Sequence, residues 1–502
     1  MSDPMRRFRV HDYFCFCFLL ALMLAPSVIL ADDSGTLNVA LTGIPDSHSL
    51  WDTNDGVSQM IFLNNTFECL VRYRDDYKIL EPCLATSWDV EESGRVWAFT
   101  LRDDVYFHDG SKLSTDDVIE SYRRIPSCNI VVERIDDLRF RCILPEKRSN
   151  FLKSIVQPRY VIARILPDST LAGTGPFRLA LWNPKESVRL ERFDQYWGGA
   201  APLDVVIYHP SLKALEALSM MRRGEIDLID IITPDLARTV EDDHELILES
   251  LDAVNICHVH INIERTPLDQ IEFRRALNLA VDKESILDEA YHGQARTCGG
   301  LLPPVIGGES ETPARIGYDP AEARMIIEKY SESTDRVLKV VGLPYSRPYC
   351  PDPEAVAEMI LSDLESVGLS VEYVSTSSMS DYRKKMIGSD YDLLIGGWII
   401  DSRDPDVFLT SLFSVDGPGS GYYSVNWSNM VFRSSILQAR STVSIHKKWR
   451  LYQAATDEFF REYPWILLAH TNQQSVHRKV TRGLKISLTG EMRLGKVSKT
   501  SF

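Results

Sequence analysis

The stretch that most limits what this chain can fold into is Leu393-Leu394-Ile395-Gly396-Gly397-Trp398, followed by Ile399, Ile400 and three aspartates, Asp401, Asp404 and Asp406. Its apolar start at 393–395 reads as an inner strand. Gly396 and Gly397 withdraw side chains where a ligand or another stretch of backbone could come close, and Trp398 supplies an apolar wall. Asp401 and Asp404 fall where such a strand would end, the place that ligands occupy in open α/β sheets. A plainer reading stands beside this one: Pro405 suits a first helical turn, and the aspartates before it suit the cap.

Around that stretch, strand and helix patterns alternate. Residues 36–41 read as a first strand and 96–101 have the period of a half-buried one. Residues 105–110 read as a strand ending in an Asp-Gly turn, and Ser114-Thr115-Asp116-Asp117 gives the hydroxyl-and-acid spacing of a helix start. A helix over 214–223 stops at Gly224, and strands follow at 226–229 and 255–262. Helices are predicted at 271–281 and from Asp282, and Asp319-Pro320-Ala321-Glu322 opens another. Strand 337–341, helix 353–367, strand 369–374 and strand 393–395 then repeat the unit. Two amphipathic helices, about 430–440 and 447–462, stop at Pro464 before a strand at 465–469. This is an α/β chain of two lobes. No linker separates the lobes, so they share chain crossings, expected near 262–268 and 469–474.

The chain has 502 residues, of which 44% are apolar and 25% charged, enough for several cores. A net charge of −16 without a basic stripe argues against a nucleic-acid partner. Arg6, Arg7 and Arg9 precede the apolar run 14–24, and small residues reach Ala31, so residues 1–31 read as a signal peptide. The run is short for a spanning helix and Pro26 interrupts it. Cys15 and Cys17 lie inside that run, so no lipid-attachment cysteine is seen and a released protein is expected. Past residue 31 the cysteines are Cys69, Cys83, Cys128, Cys142, Cys257, Cys298 and Cys350, an odd set for an exported protein. Cys128 and Cys142 bracket a strand-turn-strand pattern that a disulfide could close.

Several residue pairs invite a chemical reading. His108 beside Asp109 is better explained by the turn that Asp109-Gly110 makes, since no matching nucleophile is evident. Gly173-Thr174-Gly175-Pro176 lacks the Lys-Ser/Thr pair of a phosphate loop and leads into a strand. His258 and His260 share one face of a strand and are weak candidates for a transition metal, with no third ligand identified. Ser444-Ile445-His446-Lys447 matches a serine-hydrolase spacing, but its companion elements are missing and it opens an ordinary helix.

Taken in order, Pro82-Cys83-Leu84-Ala85-Thr86-Ser87-Trp88, the run 101–110 with Ser114-Thr115-Asp116-Asp117-Val118, Gly173-Thr174-Gly175-Pro176-Phe177, Tyr196-Trp197-Gly198-Gly199 and Phe273-Arg274-Arg275-Ala276-Leu277-Asn278 resemble the extracellular solute-binding proteins of family 5. These are periplasmic peptide-binding components of bacterial ABC importers. The resemblance covers nearly all of the chain past residue 31. It implies the type II, Venus-flytrap fold: lobe I from 32–265 with 470–502, an added subdomain at about 70–200, and lobe II from 266–469. It implies a monomeric periplasmic protein without cofactor or catalysis, which encloses a short peptide and delivers it to an inner-membrane permease. Antimicrobial-peptide uptake and nickel, haem or metal-chelate binding are the alternatives within that family, and a secreted serine hydrolase is the one outside it.

The resemblance also places site residues. Asp401, in Gly397-Trp398-Ile399-Ile400-Asp401, matches the aspartate that pairs with a peptide's ammonium. Arg347, in Ser346-Arg347-Pro348-Tyr349-Cys350-Pro351-Asp352, matches the arginine that pairs with its carboxylate, with Cys350 in place of an asparagine and Tyr349 beside it. Gly396, Gly397 and Trp398 complete the expected site. The chemistry agrees: a zwitterion needs one fixed charge of each sign, and a guanidinium fork suits a carboxylate. The stretch 124–173 is shorter than the corresponding part of the added subdomain usually is.

Overall fold

A computed structural model describes the chain apart from residues 1–34, 52–54, 75–78, 127, 307–315, 332–335, 401, 414, 416–426, 443, 488–490 and 501–502. The expected signal peptide and Asp401 therefore lie outside the described residues.

The strand Trp465–Arg478 is the spine of a 12-stranded sheet. It begins abruptly because Tyr463, at φ 49°, and Pro464 end the helix Ile445–Glu462. Its first half, Trp465 to Ala469, pairs with Asn255–Ile261, and its second half, Asn472 to Arg478, pairs with Leu246–Asp252. One group of strands lies beyond each half. On one side Leu228–Ile229, Thr36–Ala40, Val205–His209, Ser187–Arg192 and Phe177–Asn183 follow in spatial order; on the other come Asn255–Ile261, Leu393–Ile399, Leu338–Val341 and Val371–Val374. Thr36–Ala40 runs parallel to Val205–His209, and Leu338–Val341 runs parallel to Val371–Val374, the latter pair joined through the helix Pro353–Ser366. A separate four-stranded antiparallel sheet, Ala85–Glu91, Val96–Leu101, Arg139–Ile143 and Val131–Arg134, stands apart from the main one.

Local chemistry explains most element ends. Ser114 and Asp117 form a reciprocal capping box for the helix Thr115–Arg123. Asp282, Asp319, Asp352 and Asp404 each accept a backbone N–H at the start of the helix that follows. Ser444 caps Ile445–Glu462 by accepting from the Lys447 amide at 3.4 Å, which is what its hydroxyl does in this fold.

Several expectations change. Residues 105–110 are a tight loop rather than a strand: the Phe107 amide donates to Ser111 O and the His108 amide donates to Gly173 O, so the backbone is spent on a turn. The strand expected at 393–395 continues to Ile399, because Asn255–Ile261 supplies partners along its whole length. The Cys128–Cys142 bridge is not formed, and all seven cysteines past residue 31 are free thiols. In the hairpin that does form, Val132 is the residue opposite Cys142, and Cys128 precedes the strand.

Glu68 ties together the motifs that looked unrelated in sequence. Its Oε1 accepts from Tyr196 Oη at 2.9 Å and from Cys83 Sγ at 3.6 Å. Its Oε2 accepts from Thr174 Oγ1 and Trp197 Nε1, both at 2.9 Å. Gly173 and Gly175 are required beside it: a Cβ on either would lie 1.9 Å from Thr66 O or 2.5 Å from Asn65 O.

Candidate functional site

Between the strand Leu393–Ile399 and the helix Gly56–Phe62 lies a cavity of about 1160 Å3, its open mouth included. One wall comes from the strand Leu393–Ile399 and the turn before the helix Pro353–Ser366; the other comes from the helix Gly56–Phe62, the turn Pro158–Tyr160, Ile231 and Glu491.

The first wall is built by a close fit at Gly397. It sits opposite Cys257 in the antiparallel ladder, and a Cβ there would lie 2.3 Å from both Ile256 O and Tyr349 Cδ2. The glycine lets the Tyr349 ring lie on the strand, so the close approach expected at this position is made by an aromatic side chain. Trp398, half-buried, lines the cavity next to it. Gly396 lies opposite His258 within the buried part of the strand and is not a lining residue.

Arg347 and Tyr349 are presented by a short turn in which Arg347 and Cys350 exchange backbone hydrogen bonds, each 2.9 Å. Asp352 then caps the following helix. The Arg347 side chain is 7% exposed and crosses the cavity toward the other wall, where a Cβ on Gly56 would lie 2.7 Å from its Nη2. Its Cζ is 5.9 Å from the ring centres of Tyr345 and Tyr349. Burial opposes its charge, but Tyr349, Tyr345 and Asp55 outweigh that and raise its pKa. Its Nε has no hydrogen-bond partner among the described residues. Asp55 is a buried N-cap that accepts from Val57 N and Ser58 N; burial raises its pKa and Arg347 opposes the rise. Asp230 is a second buried carboxylate under this field. Burial pushes it up to about 7, against the Thr42 and Ile231 amides and Arg347.

The structure thus brings Arg347, Tyr349, Gly397 and Trp398 to one cavity. On either side of position 401, Ile400 lines the cavity, and Ser402 is buried with its Oγ 3.5 Å from Tyr73 Oη. Cys350 is not a lining residue; it is a buried thiol hydrogen-bonded with Cys257 and Tyr291 in the packing behind the wall. His258 and His260 also lie elsewhere. They share a face as expected, but that face is aromatic core: His258 stacks on Trp465 with ring centres 3.9 Å apart, and Tyr391 Oη is 3.3 Å from His260 Nδ1. Burial drives the His258 pKa down and takes His260 down to about 3. No group of three or more metal-ligating side chains occurs among the described residues. Sequence reasoning missed the whole second wall, including Gln157, Arg159 and Glu491, because none of these sits in a motif and only the tertiary fold brings them to the cavity.

Comparison with known proteins gives the geometry its context. The family model of bacterial extracellular solute-binding proteins, family 5 (middle region), matches residues 80–420. A dipeptide-binding protein of Escherichia coli K12 is 25% identical over 523 aligned positions, covering 96% of this chain and 97% of its own. Heme-binding protein A of Haemophilus influenzae is 26% identical, covering 83% of this chain and 84% of its own. Among solved structures, the dipeptide-binding protein of Pseudoalteromonas sp. SM9913 in complex with Met-Leu superposes with a TM-score of 0.87 at 22% identity, over 93% of this chain and all of that one. Structural neighbours of this kind are two-lobed.

Proposed function

Because this chain belongs to the bacterial extracellular solute-binding proteins of family 5, we propose that it captures short peptides between its two lobes and hands them to the membrane permease of an ABC importer. One observation carries the peptide reading: a buried arginine, Arg347, stands in the inter-lobe cavity with an Nε that no described residue satisfies. A peptide carboxylate is the natural partner for such a group, because a guanidinium fork can make two parallel bonds to it in a site from which closure removes water. Asp401 is assigned the peptide ammonium on its sequence position alone. The similarity to dipeptide-binding proteins supports the same ligand class.

In this reading Trp398 and Tyr349 are the apolar walls against which the peptide lies, and the protein performs transport capture without catalysis. Its place of work is the periplasm. Among the described residues no helix is long and apolar enough to cross a membrane. The lobe boundaries belong to the proposal too. Strand pairing favours a first crossing between Asp252 and Asn255, ahead of the 262–268 expected from the sequence, where partners change from one half of Trp465–Arg478 to the other, and a return between Ala469 and Asn472.

Native mass spectrometry of the purified protein and calorimetry with a dipeptide panel test this function. A bound or titratable dipeptide is the expected result, and Arg347→Ala should weaken it by about 2–5 kcal/mol, the usual cost of leaving a buried charge unpaired. A panel that gives no binding, or an unchanged affinity in Arg347→Ala, would overturn the reading.

A further inference from the structure

We infer that Glu491 is a specificity residue that selects peptides carrying a basic side chain, an inference that rests on the peptide-binding reading above.

Glu491 lines the cavity and is 1% exposed. Ser487 holds it in place: the Ser487 amide donates to Glu491 O, and the Glu491 amide donates to Ser487 Oγ, both at 2.9 Å. Its carboxylate is satisfied on one side only. Oε1 accepts from Asn64 Nδ2 at 2.7 Å and from Arg493 Nε at 3.4 Å. Oε2 is buried and has no donor among the described residues.

The same molecule shows what a purely structural buried carboxylate looks like. Glu68 spreads four donors over both of its oxygens. Leaving one oxygen of a buried carboxylate without a donor costs free energy that a protein ordinarily avoids, so the unfilled valence on a cavity wall marks where a ligand donor goes. Burial raises the Glu491 pKa while Arg493 and Asn64 lower it, and a ligand cation would act in the same sense as those two.

The remaining lining fits a particular kind of donor. Among the described lining residues Glu491 is the one carboxylate, and the same lining includes the apolar side chains Met60, Leu63 and Met379. A lysine or arginine side chain has this composition, an aliphatic stem with a cationic end. Arg347 is already committed to the ligand carboxylate, and half-buried Arg159 is the other cation of the described lining.

Calorimetry on the full chain with a Lys-containing dipeptide and its Met-containing counterpart tests the assignment, since the two differ mainly in the terminal charge. In the wild type the Lys peptide should bind about tenfold tighter, the size of one charge-assisted hydrogen bond. In Glu491→Gln that ratio should collapse toward one, with folding of the variant checked by circular dichroism. Equal wild-type affinities for the two peptides, or a preference that survives in Glu491→Gln, would overturn the inference while leaving peptide capture standing. If neither peptide binds, the peptide reading falls and this inference falls with it. Should Glu491→Gln fail to fold, the wild-type ratio decides alone.

Discussion

His108 shows how a residue with the look of a catalyst serves a turn. Its Nδ1 accepts from the Gly173 amide at 3.2 Å, so Nε2 carries the proton that bonds Gly175 O at 3.0 Å. Only the neutral ring does both. Desolvation beside Phe193 and the Gly173–Gly175 turn lowers its pKa to about 4. A group depressed below its unfolded value of 6.5 contributes stability that is present above that pH and is lost as pH falls through 4. His108→Gln should therefore flatten the fall in thermal midpoint between pH 6.5 and 4. The slope will not vanish, because His258, His260 and His470 are also depressed by burial. An unchanged slope in the variant would remove His108 from the account. Asp230 acts with the opposite sign: raised to about 7, its contribution is present below 3.8 and lost as pH rises through 7. At this scale the sequence was informative wherever chemistry is local. The Asp109-Gly110 turn and the capping residues could be read directly, whereas Glu68 and Glu491 could not, since Thr174 and Trp197, which bond Glu68, and Asn64, which bonds Glu491, lie more than a hundred residues away in the chain.

Among the elements, Leu393–Ile399 and Trp465–Arg478 were both read too short, for the same reason. Glycines 396 and 397 weaken local strand preference, and Thr471-Asn472-Gln473-Gln474 has the composition of a loop. Both stretches are strand because neighbours pair with them, His258 and Cys257 opposite the glycines and Ser250 to Asp252 opposite Asn472 to Gln474. Tertiary pairing overrides propensity most easily in strands. The helices that were expected agree nearly to the residue, since caps such as Ser114, Asp319 and Asp352 are local signals, whereas Gly56–Phe62, Pro234–Glu241 and Met379–Ile387 were not expected at all. The cost of disturbing the strand at the cavity can be stated. Gly397→Ala places a methyl against Ile256 O and Tyr349 Cδ2 at 2.3 Å, with no space to receive it. Denaturant unfolding should show a loss of about 1–3 kcal/mol, and peptide affinity should fall as Tyr349 is displaced. An alanine variant with wild-type stability would mean that Tyr349 does not rest on this strand.

At the level of the whole molecule, the lobes of the proposed division touch beyond the cavity. Asn150 Nδ2 donates to Asp404 Oδ1 at 3.1 Å and to Asp406 Oδ2 at 3.0 Å, and Lys153 Nζ is 3.2 Å from Asp404. Arg383 reaches Asp46 at 2.9 Å. Asp404, the cap that the sequence suggested before Pro405, thus has a second use: it starts the helix Pro405–Leu412 and also holds Asn150, the residue that precedes the helix Phe151–Ser154. In the proposed capture cycle such contacts exist only while the lobes are together, so they bias that cycle toward closure. Asn150→Ala should leave Asp404 and Asp406 short of a buried donor in the closed form, weaken dipeptide binding by roughly three- to tenfold, and enlarge the radius of gyration of the unliganded protein in X-ray scattering. Unchanged scattering and affinity would mean that this contact does not distinguish the two states. The measurement that bears most directly on the central claim is a crystal structure with a dipeptide bound. The peptide should be enclosed between the lobes, its carboxylate on Arg347 and its ammonium on Asp401. A peptide bound elsewhere, or one in the cavity whose carboxylate leaves Arg347 untouched, would contradict it.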